Sequence, residues 1–237
     1  MDWFAAVDIY CERTGPDFWS EPLNALSNLS FILAALWGWA EARKRGRTDP
    51  MTVILIVLAA LIGLGSFLFH TFANAWSGLA DVIPIWTFVA LFVLVALHRI
   101  GGVRPGRIAV GLAVVAGLVA ILFAFGSDGS GSQTSATPAA HNHTPTNTLL
   151  NGSEQYLPAV LALLAFAALS RRKGHSIAPW IAAATGIFML SLTLRTLDMH
   201  LCDIWPLGTH FIWHLLNGAM IALLFQGLIR SPVAKPG

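Results

Sequence analysis

Two histidines four residues apart, His210 and His214, open the last apolar run of the chain. Residues i and i+4 of a helix share a face, about 5–6 Å apart at Cβ, so both imidazoles can reach one metal ion. A third imidazole, His70, closes an earlier apolar run, and Ser66 lies one helical turn before it on the same face. Asp81 follows after a short turn. Three imidazoles with an open fourth position are the ligand set of a catalytic zinc. Such an ion lowers the pKa of a bound water to about 7, and a nearby carboxylate can take the released proton. That role falls to Asp81, and the Ser66 hydroxyl suits a developing oxyanion. Taken singly, each residue has an ordinary reading. Gly63, Gly65 and Ser66 suit close helix packing, and His70 and Asp81 suit the ends of membrane spans. Five such groups on one side of a membrane argue for a site, because unpaired charge in lipid is costly.

The elements that must position these groups follow from composition. Of 237 residues, 56% are hydrophobic and 11% charged, against about 25% charged in a soluble domain. Apolar runs of about 20 residues, the length that crosses a bilayer, recur along the chain. They predict an all-α membrane protein, a single seven-transmembrane-helix bundle over residues 1–237. The spans fall at about 22–42, 51–70, 81–98, a fourth ending near 125, then 154–170, 178–197 and 208–229. Residues 1–21 read as a polar and aromatic cap on the membrane surface. Residues 126–153, rich in Gly, Ser, Thr, Asn and Pro, read as a flexible outer loop. The start, Met1-Asp2-Trp3-Phe4, has no basic region of the kind that precedes a cleavable signal segment. A net charge of +2 gives nucleic-acid binding no electrostatic support.

Basic residues set the expected orientation. Twelve of the 14 Lys and Arg fall after spans one, three, five and seven; Arg13 and Arg195 are the exceptions. The N-terminus is therefore expected outside and the C-terminus in the cytoplasm. A bacterial inner membrane, with the polar cluster toward the periplasm, suits the basic loops. Cys11 and Cys202 then lie on the outer side, where a disulfide and two free thiols are both open readings.

The sequence resembles the alkaline ceramidase family, within the superfamily of adiponectin-type receptors and GPI-anchor remodelling enzymes. The matching signatures are Ser66-x3-His70 followed by Asp81, and His210-x2-Trp213-His214. Tyr10-Cys11-Glu12, Glu21-x2-Asn24 and Asp198-x3-Cys202 also match. The resemblance implies an intramembrane hydrolase that cleaves the amide of ceramide to a sphingoid base and a fatty acid. It implies zinc on His70, His210 and His214, with Asp81 as proton carrier and Ser66 near the oxyanion. It also implies a Cys11–Cys202 disulfide and a calcium ion held by acids of the cap. Glu12 and Glu21 fit that calcium role, with Asp8 and Asn24 in support. The chain departs from the family pattern at Ile9-Tyr10-Cys11-Glu12, where Asp-Trp-Cys-Glu is usual, and at Thr14, where Asn is usual. The second reading is a receptor or sensor of the same superfamily, with structural zinc and a lipid ligand.

Overall fold

The computed structural model describes residues 2–111 and 150–231. The regular structure there is helical: α1 Pro22–Ser27, α2 Leu29–Lys44, α3 Pro50–Phe72, α4 Ala75–Arg99, α5 Leu157–Arg172, α6 Ala178–Leu197 and α7 His210–Arg230. Residues 105–111 are also helical. Most of the expected fourth span, and nearly all of the 126–153 loop, lie outside the described residues. Among the described residues, six helical segments are long and apolar enough to cross a membrane, α1 and α2 together forming the first of them.

The helices meet in the order α4, α3, α2, α7, α6, α5, with α5 returning to α4. Their inner faces bury Leu55, Phe88, Ile181, Phe225 and Leu228. Their outer faces leave Leu33, Leu36, Ile83 and Leu161 exposed. Apolar residues on both sides of a helix are the mark of a span in hydrocarbon.

The turn between α3 and α4 differs from the sequence expectation. α3 starts on Asp49, whose side chain accepts from the Thr52 N–H, with Pro50 in the first turn; proline there loses no helical hydrogen bond. α3 ends at Ala73, which takes a left-handed conformation at φ 42°. α4 then begins at Ala75, six residues earlier than Asp81, because Asn74 and Ser77 cap each other reciprocally. A helix rises 1.5 Å per residue, so Asp81 lies about 9 Å inside α4. It is level with Ser66 rather than with His70.

The cap is tied down at two places. Its first residues pair with the α3–α4 turn: the Val7 N–H donates to the Ala73 carbonyl at 2.8 Å, and the Ala75 N–H to Ala5 at 3.1 Å. Further along, Cys11 is disulfide-bonded to Cys202, with Cα atoms 5.3 Å apart.

Candidate metal centre

His70, His210 and His214 come together. One ring nitrogen from each lies within 4.8 Å of the others, and all three side chains are buried. Among the described residues this is the group of His, Cys, Asp and Glu side chains placed to share an ion. Each histidine has a separate support. His70 sits in the last turn of α3, and its Nδ1 lies 2.5 Å from Glu21 Oε2. The His214 Nδ1 lies 2.8 Å from the Ser27 hydroxyl, at the end of α1. Both rings therefore keep Nε2 for an ion. His210 is the first residue of α7, and its Nδ1 is buried without a hydrogen-bond partner.

The start of α7 is fixed from the preceding loop. Asp198 accepts from the N–H groups of Thr209 at 2.6 Å, His210 at 2.9 Å and Cys11 at 3.1 Å. Burial pushes the Asp198 carboxyl above its ordinary pKa, and those three backbone donors pull the other way. One carboxylate thus caps α7, aims His210 and holds the disulfide strand. Tyr10 covers the cluster: its ring stacks on His210 with centroids 3.7 Å apart and planes 20° apart. Burial raises the Tyr10 phenol well above its usual pKa, so it stays a neutral donor.

Ser66 and Asp81 face each other on α3 and α4, the hydroxyl beside the carboxylate. The Asp81 Oδ1 is buried with no hydrogen-bond partner. Their approach depends on Gly65, where an added Cβ would collide with the Ala80 carbonyl. Pro84, inside α4, has no N–H to offer that carbonyl. The bare oxygen and the glycine together let the two helices close.

Tyr10, Ser66, Asp81, His210 and His214 form the polar end of a cavity whose other walls include Phe88, Phe92, Phe166 and Leu224. His210 to Leu224 is 14 residues along α7, about 20 Å at 1.5 Å per residue. The cavity is therefore a largely apolar slot with a polar end, and Asn217 adds one polar side chain about midway along it.

Other expected ligands are placed differently. Glu12 accepts from the N–H groups of Leu23 and Asn24, each at 2.7 Å, and so caps α1. Burial raises the Glu12 carboxyl despite those two bonds. Glu21 bonds to Arg13, His70 and Asn24. Burial would raise its carboxyl, but the bond to His70, with help from Asn24 and Arg13, brings it below the usual range. Asp8 is exposed. Sequence reasoning missed Ser27 and Arg13 as part of this region, and named Tyr10 only within the Tyr10-Cys11-Glu12 match, without a role. Glu21, which the resemblance offers as a calcium ligand, is bonded to His70.

The sequence profile of the Ceramidase family matches residues 10–234, nearly the whole chain. The chain belongs to the ceramidase family, and membership implies an amide hydrolase with a lipid substrate. No curated protein matches the chain significantly.

Proposed function

We propose that the protein is a zinc-dependent intramembrane amidase that cleaves ceramide, or a ceramide-like lipid, to a sphingoid base and a free fatty acid. The observation that carries this reading is the convergence of His70, His210 and His214 within 4.8 Å. Two of their Nδ1 atoms are already held, by Glu21 and Ser27. Carboxylate or hydroxyl support of this kind orients a metal-ligating histidine and raises its basicity. Three neutral imidazoles suit zinc, and zinc bound there supplies Lewis acidity and an acidified water.

The chain's own residues do the rest. Asp81 takes a proton from the attacking water and returns it to the leaving nitrogen, as a general base and then acid. Ser66 donates a hydrogen bond to the oxygen on which charge develops. The apolar slot holds the acyl chain and keeps bulk water from the reacting amide. The lipid reaches the site sideways between helices, at the depth of the outer headgroups. Seven spans, an outside N-terminus and a cytoplasmic C-terminus, in a bacterial inner membrane, complete the reading. They rest on the distribution of Lys and Arg.

The test is product analysis. Purified protein incubated with a panel of ceramides should release fatty acid and sphingoid base in equal amounts, and a chelator should stop it. Retention of intact ceramide with tight binding would instead support a receptor or sensor with structural zinc.

A further inference from the structure

The resemblance calls for calcium in the cap, and the donor set does not fit one. Calcium takes six to eight oxygens. Both Glu12 oxygens accept backbone N–H bonds. Both Glu21 oxygens are bonded, Oε1 to Arg13 and Oε2 to His70 and Asn24. Asp8 and Asp17 are exposed. The Asn24 Oδ1, and the Asn28 Oδ1 one turn further on, are left as buried acceptors without a partner, two oxygens where calcium needs six to eight.

We infer that Arg13 is the cation of this cap: its guanidinium binds Glu21, one of the two acids that the family pattern gives to calcium, and it positions the metal ligand His70 through Glu21. Arg13 is 4% exposed and Glu21 3%, so this is a buried ion pair. Its three nitrogens reach three different pieces of structure. Nε donates to Glu21 Oε1 at 2.5 Å, one terminal nitrogen to the Gly15 carbonyl at 3.0 Å, and the other to the His70 carbonyl at 3.1 Å. The His70 carbonyl lies in the last turn of α3, where carbonyls have no helical partner and a positive charge is favoured. The planar fork of arginine suits this task, because it binds a carboxylate and two carbonyls in fixed directions. A divalent ion beside a buried guanidinium would meet like-charge repulsion with little solvent to screen it. Arg13 thus holds Glu21 against the His70 Nδ1 and holds the end of α3 that carries His70. It is a positioning residue, and its zinc effect rests on the metal reading proposed above.

The experiment has two arms. In the first, purified wild-type protein is equilibrated with excess EGTA or excess calcium chloride, then its bound calcium and Tm are measured. No bound calcium and an unchanged Tm are expected. One calcium per chain with a raised Tm overturns the inference. In the second, zinc affinity is measured by chelator competition for wild type, Arg13→Met and Arg13→Lys. The methionine variant should bind zinc at least about 10-fold more weakly, and the lysine variant should recover part of the loss. Wild-type affinity in Arg13→Met also overturns it. The calcium arm needs neither zinc nor ceramide cleavage, so it decides alone if Arg13→Met does not fold, or if the wild type proves not to be a zinc hydrolase.

Discussion

Ser27 and His214 stand 187 residues apart in sequence, and the serine hydroxyl lies 2.8 Å from the histidine Nδ1. The bond joins the end of α1 to the first turns of α7, and it leaves the Nε2 edge of the ring for the cluster with His70 and His210. Ser30, a turn further on, donates to the His214 carbonyl at 2.9 Å. The first and last spans are thus locked together at His214 itself.

Ser27→Ala leaves the three imidazoles in place and removes only this orientation. Loss of such a partner typically weakens metal binding by about 10–100-fold. Chelator competition on the purified variant should show that drop, with the helical circular dichroism signal unchanged. Equal affinity would mean that packing alone orients the ring.

Gly65→Ala tests the closeness of α3 and α4. The added methyl would meet the Ala80 carbonyl and lie 3.2 Å from the Asp81 Cα. Overpacking of this kind costs about 1–3 kcal/mol. Turnover should fall because Asp81 is displaced from Ser66, while zinc content stays at that of the wild type. A variant that lost zinc but kept the rate per bound ion would contradict the separate roles given to the two clusters.

Asp49 carries a pH dependence whose sign is fixed. Burial would raise its carboxyl, but the hydroxyl and N–H of Thr52 and the guanidinium of Arg99 outweigh burial and hold it below the ordinary value. A depressed folded-state pKa gives stability that is present above the unfolded value, about 4, and lost as pH falls through the folded one. Asp49→Ala should therefore lower stability at neutral pH by the roughly 0.5–2 kcal/mol of a helix cap, and lose less on acidification than wild type does. Thermal melts from neutral to acid pH check this, and parallel curves would reject it.

Opening the Cys11–Cys202 disulfide should lower stability by about 2–5 kcal/mol. It should also loosen the start of α7, since the Cys11 N–H is one of three donors on Asp198. Cys202→Ser compared with wild type, by Tm and by zinc affinity, separates the two effects.

Much of this was legible in the sequence. The i, i+4 pair His210–His214 pointed to the histidine cluster that the helices bring together, and the apolar runs marked five of the six described spans within two residues at either end, because both signals are local and periodic. The third span began six residues too late. Thr71 to Ala80 contains Asn74, Ser77 and Gly78, residues of turns, and here Asn74 and Ser77 start a helix instead; an Asn-x-x-Ser cap was the available signal. The supports of the histidines were not legible. Ser27, Tyr10 and Arg13 act through distances set only when α1, α3 and α7 pack. Glu21 was visible as an acid, but its bond to His70 depends on the cap folding so that Arg13, eight residues earlier in the chain, meets it as well.

The most direct test is metal analysis of purified wild type beside His214→Ala, each assayed for fatty-acid release from ceramide. One zinc per wild-type chain with activity, and neither in the variant, is the predicted result. Undiminished ceramide cleavage by His214→Ala after exhaustive chelation would contradict it.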